Sequence, residues 1–417
     1  MLRVRLELLR AASPTNNDLL AILRLAAFQR YAASRAASSV SYSLLQAVIL
    51  WQTYAISGST LSLGLVGLVG FVAALISSLI GGVVVDAYDR RLVLTTSLLI
   101  RALCGLAMLY AIASDRVSLD LIYAIVLVTG LASSFEFAAQ QAMLPATVPR
   151  RLLMRALTTN SALNSVSSVT GPALGGLLIA SGGVGHAWAA HTLLVAISAL
   201  AVLALRIPST RGGGRVRLAA IREGLVFVWT QPVLLGAMTL DMFAVMFGGA
   251  RALLPVYAID ILHADALGYG ILSASLEAGT VLMAVILIAL PHPTHAGRVL
   301  LSSVAAFGLA TIVFGVSTSL PLSIAAYALV GMADQVSMVM RQNTIQMSTR
   351  DALRGRVTAV NSVFISASNE LGALESGVVA TLTNATFAVV SGGVACLVVV
   401  ALLAWRVPAL RKYRASL

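Results

Sequence analysis

The sequence predicts an all-α integral membrane protein with twelve transmembrane helices, arranged as two pseudo-symmetric bundles of six. Three observations support this fold class: the composition, the number of apolar runs and an internal repeat. Of the 417 residues, 59% are hydrophobic and 11% are charged, whereas a soluble domain carries about 25% charged residues. Water cannot accommodate so much apolar surface, so we expect the chain to be surrounded by a lipid bilayer.

Twelve apolar runs have about the 20 residues that span a bilayer as a helix. The first six predicted helices are 30–54, 61–84, 92–113, 119–143, 157–180 and 187–205. The second six are 233–258, 267–290, 299–317, 320–340, 357–382 and 385–405. The predicted domains are an amphipathic N-terminal segment (1–29), a six-helix bundle (30–205), a linker with an amphipathic helix (206–230), a second bundle (231–405) and a tail (406–417).

The positive charges predict the orientation of these helices. The net charge is +12, which taken alone could suggest nucleic-acid binding. With the N-terminus in the cytoplasm, however, 22 of the 28 Lys and Arg residues lie in cytoplasmic loops and termini, and only Arg116 lies on the opposite side. This asymmetry is that of the positive-inside rule. We therefore expect a multi-pass protein with both termini cytoplasmic and no nucleic-acid partner.

An internal repeat divides the chain into two halves. Residues 155–176, in the fifth predicted helix, align without gaps with residues 356–377 in the eleventh. The matched pairs are Arg155 with Arg356, Asn160 with Asn361, Ser161 with Ser362, Gly171 with Gly372 and Gly176 with Gly377. We therefore expect the fifth and eleventh helices at equivalent positions in the two bundles.

The hairpin between the second and third predicted helices has the sequence GGVVVDAYDRR. On this motif the chain resembles the major facilitator superfamily of secondary transporters, whose corresponding loop carries a G-x-x-x-D-x-x-x-R-R-like signature. The chain departs from the family at Ala87, where a basic residue is frequent. A carboxylate beside two cations and a helix start is expected to form charge-assisted bonds that break when the two halves rock. The residues of this predicted conformational latch are Gly82, Asp86, Arg90 and Arg91.

The sequence GPALGG in the fifth predicted helix matches G-P-x-x-G-G, a motif of the superfamily's drug/proton antiporters. Gly171 and Gly175 form a small-xxx-small face for close helix contact, Gly176 completes the motif, and Pro172 loosens the backbone hydrogen bonding. General packing of membrane helices is the alternative interpretation. The match in the expected helix favours an exporter.

Ionisable side chains within membrane spans are costly and are therefore candidates for function. The candidates are the acids Glu136, Asp241, Glu277, Asp334, Glu370 and Glu375 and the cations Arg35, Arg101, Arg251 and Arg341. In the superfamily, helices one, four, seven and ten line the cavity, and helices three, six, nine and twelve lie outside. The resemblance therefore ranks Arg35, Glu136, Asp241 and Asp334 first as cavity residues and makes Arg101 structural. Asp241 is the first expected proton carrier, with pairing to Arg251 or capping of the helix start as the alternative.

The resemblance also implies a function. Three segments resemble the branch of the superfamily that contains the enterobactin exporter and related small-molecule effluxers: 252–262, 339–346 and 353–361. This implies proton-coupled export of an amphipathic drug, siderophore or metabolite across a bacterial inner membrane, with uptake by symport as the alternative. A channel or a receptor fits the repeat less well.

The sequence carries no P-loop, and the His pair at 292 and 295 has no acidic partners, so we expect neither an enzyme site nor a metal site. We expect a monomer that binds a small molecule, lies in the lipid bilayer and uses the proton gradient without a cofactor.

Overall fold

The computed structural model describes residues 21–205, 225–290 and 295–413, which form twelve long helices. The first half contains α1 (Ala26–Ser57), α2 (Thr60–Ala87), α3 (Arg90–Ala113), α4 (Leu119–Met143), α5 (Leu153–Gly182) and α6 (Val184–Leu203). The second half contains α7 (Pro232–Gly248), α8 (Ala266–Ala289), α9 (Ala296–Val316), α10 (Leu320–Ser348), α11 (Asp351–Leu382), α12 (Ala385–Arg406) and the short α13 (Pro408–Lys412). Each predicted membrane helix corresponds to one of these helices. The two predicted amphipathic segments fall mostly outside the described residues.

Ten helices in the described part of the chain are long and apolar enough to cross a membrane, by length and composition. α1 and α11 are not in this set, because both carry a polar face. Arg35, Ser38 and Tyr42 of α1, and Ser362 and Ser366 of α11, line the same cavity. A helix that turns one face to a polar cavity inside a bundle presents apolar residues only on its remaining surface.

Polar caps determine where several helices begin. The side chains of Asp89, Asp265 and Asn384 each accept a backbone N–H at 2.8 Å, at the starts of α3, α8 and α12. Such caps satisfy N–H groups that have no partner within the helix. α1 ends at Gly58, whose φ of 57° lies in the left-handed region that glycine adopts readily. These caps let neighbouring helices follow one another closely: two residues separate α1 from α2, and two separate α2 from α3.

The seventh predicted helix, 233–258, is interrupted in the structure. α7 ends at Gly248, and the chain continues as a 3-10 turn (Ala250–Leu253), an α turn (Leu254–Val256) and a π turn (Tyr257–Ile261). Pro255 has no N–H to donate, and its ring opposes a regular helix through the preceding turn. Gly248 and Gly249 add weak helix propensity at the same place. Arg251 consequently lies on an irregular turn instead of a straight helix.

α10 is longer than predicted, because it continues past residue 340 to Ser348. The apolar run stops where Arg341 and the polar residues after it begin, and the prediction stopped there too. The structure corrects the position of Arg341, which lies about two turns inside the helix and is buried.

Two helix pairs join the halves: α2 packs against α11, and α5 packs against α8. Within the halves, α1 packs against α5 and α6, and α7 packs against α11 and α12. The repeat-related helices make equivalent contacts: α5 packs against α1, the first helix of its own half, and α11 packs against α7, the first helix of its half. Each also packs against the second helix of the other half, so the two contacts between the halves are equivalent.

Glycines of the repeat allow these close approaches. Gly171 faces the backbone of α1, and its counterpart Gly372 faces the backbone of α7. Gly176 lies against α8, and its counterpart Gly377 lies against α2. A Cβ atom at any of these four positions would come closer than 3.0 Å to a backbone atom of the facing helix. In each repeat, therefore, the first glycine contacts a helix of its own half and the second contacts a helix of the other half.

Candidate functional site

A cavity of about 620 Å³ lies between the two halves. Among the described residues, its charged lining consists of Arg35, Arg101, Glu136, Arg251 and Glu277. Its apolar and aromatic lining includes Phe71, Leu75, Phe137 and Val363, with serine hydroxyls between them. The α2/α11 and α5/α8 contacts lie at the end where α2 and α8 begin, and the lining residues lie on the other side of these contacts. The cavity is therefore closed at one end by the joins between the halves.

Glu136 of α4 is held by a buried ion pair. Its carboxylate lies 2.6 Å from the Arg101 guanidinium of α3, and the two side chains are 4% and 1% exposed. Ser38 of α1 donates to the same carboxylate and accepts from Arg101 at 2.9 Å, and Gln140 donates to it at 3.0 Å. Arg101 therefore reaches inwards from α3 and lines the cavity, although the resemblance placed it outside as a structural residue. The ion pair and its hydrogen bonds with Ser38 therefore connect α1, α3 and α4.

Arg35 of α1 lies next to this cluster but is held by neutral groups. Its guanidinium donates to the side-chain carbonyl of Gln140 and, at 2.9 Å, to that of Asn164. It also lies over the ring of Phe137, 5.5 Å from the ring centre. Within the described part of the chain no carboxylate lies within 4.0 Å of it. Arg35 thus supplies a positive charge to the cavity that amides and an aromatic ring hold in place.

Asp241 forms a buried ion pair with Arg341 of α10. Pairing with Arg251 was the alternative to a proton-carrying role, and the structure pairs Asp241 with Arg341 instead. The structure also corrects the expected location: neither Asp241 nor Asp334 is among the described residues that line the cavity. Asp241 lies on the face of α7 that packs against α10, and Asp334 of α10 interacts electrostatically with Glu277 of α8.

Arg251 and Glu277 are the charged cavity residues of the second half. Among the described residues, Arg251 forms no hydrogen bond or ion pair within 4.0 Å, although it interacts electrostatically with Glu277, Glu370 and Tyr42. The sequence indicated both residues as charges within spans but did not rank them first: Glu277 lies on helix eight, and Arg251 was named only as an alternative partner of Asp241. The sequence did carry a signal for the break after α7, because Gly248, Gly249 and Pro255 all disfavour a regular helix there.

The hairpin residues tie together helices of the first half. Arg90 donates to the carbonyl of Ala142 in α4 at 3.2 Å, and Arg91 donates to the carbonyl of Leu203 in α6 at 2.5 Å. Asp89 caps α3. Gly82 and the side chain of Asp86 lie outside the described residues, so their role in a latch stays a prediction.

Several residues that hold the site were not predicted. They are Ser38, Tyr42, Gln140 and Asn164. A signal for α1 was present, because Arg35, Ser38 and Tyr42 recur at the spacing of one helix face. Gln140 lies one helical turn after Glu136, whereas Gln140 and Asn164 bind Arg35 from 105 and 129 positions away, which no local pattern reports.

Comparison with known proteins is consistent over nearly the whole chain. Residues 18–416 match the family described as transmembrane secretion effector. The enterobactin exporter EntS of Citrobacter koseri is 30% identical over 378 residues, which cover 88% of each chain. The enterobactin exporter EntS of Escherichia coli O1:K1 / APEC is 28% identical over 397 residues, which cover 93% of each chain.

Solved structures share the fold. A mutant of the nucleoside transporter NupG has a TM-score of 0.71 at 14% identity, covering 93% of this chain and all of that one. A bacterial homologue of the human lysosomal transporter Spinster, in an inward-facing and unoccupied conformation, has a TM-score of 0.66 at 15% identity, covering 95% of this chain and 97% of that one. At this identity the likeness shows the fold alone.

Proposed function

The chain belongs to the transmembrane secretion effector family of the major facilitator superfamily, and we propose on this premise that it exports an amphipathic small molecule by alternating access. It is a transporter and not an enzyme, and a multi-pass protein of the bacterial inner membrane. The direction of transport, the substrate class and the coupling to protons are the parts that we propose.

The observation that supports alternating access best is the cavity closed at one end, and the named enterobactin exporters among the relatives support export as the direction. With the predicted orientation, the closed end, where α2 and α8 begin, faces away from the cytoplasm. The cavity then collects its substrate from the cytoplasmic side. Opening of the α2/α11 and α5/α8 contacts would expose the same residues to the other side, as alternating access between two repeat-related halves requires.

The cavity lining favours a substrate with both apolar and polar groups. Phe71, Phe137 and Leu75 offer apolar surface, whereas Arg35 and Arg251 offer positive charge that no described carboxylate within 4.0 Å neutralises. Pockets of this size and mixed lining hold drug-sized molecules. Since the curated relatives are named enterobactin exporters, a siderophore is the first substrate to test, followed by amphipathic drugs.

We propose the proton gradient as the energy source and Asp241 as the first coupling residue. A proton on Asp241 would remove its charge from the pair with Arg341, which links proton binding to the packing of α7 against α10. Glu136 with Arg101 is the corresponding pair of the first half. Asp334 and Arg35 are the remaining candidates for this coupling.

Everted membrane vesicles test the proposal, because their interior corresponds to the outside of the cell. With enterobactin as the first probe, we expect accumulation in energised everted vesicles and partial collapse of the pH gradient when the probe is added. Vesicles without the protein are the control. Accumulation confined to right-side-out vesicles would support uptake by symport instead, and accumulation that survives a protonophore would reject proton coupling.

A further inference from the structure

Glu370 of α11 lies at the contact between the two halves. Its carboxylate rests directly on the backbone of Gly70 in α2: a Cβ atom on Gly70 would be 2.7 Å from Oε2 and 3.3 Å from Oε1. The carboxylate therefore occupies the space that any other side chain at this position of α2 would fill. An acid of one half is seated in a niche of the other half.

This niche is the inner end of the contact that closes the cavity. The contact begins at the far end of α2, where the hydroxyl oxygens of Thr60 and Thr381 lie 2.7 Å apart. It continues inwards through three glycines of α2, each against α11: Gly64, Gly67 and Gly70. The carboxylate is the only charged group that the described part of α11 places in this row. The halves cannot separate here without moving Glu370 out of its niche.

The surroundings of Glu370 are poor in partners. In the described part of the chain, its side chain accepts no hydrogen bond and forms no ion pair within 4.0 Å. The charged or titratable groups that face it are Arg251, from the turn after α7, and Tyr42, from α1. Residues 63–74 of α2 carry no titratable group. Three further helices pack against α11: α7 carries Asp241, which is paired with Arg341 of α10, α10 also carries Asp334, which interacts electrostatically with Glu277, and α12 carries Cys396 and Arg406.

An ionised carboxylate is expensive between membrane helices unless a cation or several donors hold it. The neutral acid suits the closed niche, because it needs no counter-charge. Separation of α2 from α11 would admit water, which solvates the ionised form. Closure of the contact and the protonation of this side chain are therefore linked thermodynamically, since whatever favours one favours the other.

We propose that Glu370 is a proton-carrying residue of the transport cycle, which binds a proton when the α2/α11 contact is open and carries it inwards as the contact closes. The inference rests on the proposed proton-coupled export. Water on the open side supplies the proton, which forms one O–H bond on the carboxylate. The same bond breaks on the cavity side, where water takes the proton and Arg251, which lines the cavity, attracts the carboxylate that remains. Proton entry from outside would thus reset the carrier towards the cytoplasm.

A cysteine crosslink across the closed end tests this inference without any substrate. Thr60→Cys with Thr381→Cys, in a background with Cys104→Ser and Cys396→Ser, should be oxidised to a disulfide by added copper phenanthroline only when the contact is closed. Disulfide formation proceeds through the thiolate, whose fraction falls with pH, so the crosslinking at each pH is corrected for that fraction. We expect the corrected crosslinking in proteoliposomes to rise as the pH falls, with the closed-to-open ratio changing by up to about tenfold per pH unit for one linked proton. Glu370→Gln, which imitates the protonated acid, should crosslink strongly at every pH after the same correction.

Two variants separate a proton-carrying role from a structural one. Glu370→Asp keeps a titrating carboxylate and should keep the pH dependence. Glu375→Gln removes another half-buried acid of α11 that does not contact Gly70, and it should behave as wild type. The inference is overturned if Glu370→Gln keeps the wild-type pH profile, or if Glu375→Gln flattens the profile equally.

The result of the crosslinking experiment can be interpreted without the result of the export assay. Wild-type export together with a crosslink that ignores pH would reject the role of Glu370 and leave the proposed function standing. A pH-dependent crosslink in a protein that exports none of the tested compounds would support the role of Glu370 and place the failure in the proposed function. A Glu370→Gln protein that does not fold would leave Glu370→Asp to decide, and a flat profile in that variant would reject the inference.

Discussion

Glu136→Gln should strongly destabilise the first half. The change keeps the shape of the side chain but leaves the Arg101 guanidinium charged, 1% exposed and without a carboxylate. Removing one partner of a buried ion pair costs about 3–5 kcal/mol. The amide oxygen of Gln still accepts one hydrogen bond, whereas its NH₂ group cannot accept those that Ser38 and Gln140 now donate. We therefore expect a loss of about 3 kcal/mol, at the lower end of that range.

The free energy of unfolding can be measured by titration with a denaturing detergent in mixed micelles. Glu277→Gln is a matched control, because Glu277 lines the same cavity but has no ion pair within 4.0 Å among the described residues; it should change stability by less than about 1 kcal/mol. Arg101→Met combined with Glu136→Leu should recover most of the loss, since apolar replacement of a whole buried pair is often neutral. A Glu136→Gln protein as stable as the Glu277→Gln protein would refute the reasoning.

The other predictions concern coupling, packing and topology. Asp241→Asn should bind substrate and permit downhill exchange but lose gradient-driven accumulation in everted vesicles; wild-type accumulation would remove Asp241 from the coupling. Gly176→Val should reduce transport severely because its side chain would enter the backbone of α8, whereas Gly175→Ala should be tolerated because its Cβ meets its nearest neighbour at an ordinary 3.5 Å; equal transport by the two would contradict this. An impermeant thiol reagent added to intact cells should label Ser181→Cys and miss Gly213→Cys, and labelling of the latter would refute the predicted orientation.

The positions of the helices could be predicted because each apolar run of bilayer length has one stable form in lipid. Two predicted helix boundaries were wrong, each for a physical reason. The end of α10 was missed because Arg341 ends the apolar run while its charge is satisfied by Asp241 on another helix. The break after α7 was missed although Pro255 marked it, since a hydropathy count ignores a missing N–H.

The charged residues of the site could be found from the sequence, but their partners could not. Membrane burial makes Glu136 and Asp241 conspicuous in any apolar run. Their pairing with Arg101 and Arg341 depends on the packing of separate helices, which a single sequence does not encode locally. The repeat, however, correctly indicated that Gly176 and Gly377 are equivalent, and their contacts with the opposite halves show why.

The glycine contacts at the closed end also have an electrical consequence. Backbone lies against backbone at Gly176 and Gly377, and the α2/α11 contact runs from Thr60 to Gly70, so the barrier between the two aqueous sides lies at this end of the cavity. A cavity filled with water from one side conducts, and the voltage across the membrane then falls mainly over this insulating layer. A charge that crosses the layer gains about 2.3 kcal/mol per 100 mV. The location of the seal therefore decides which part of the carrier senses the membrane potential.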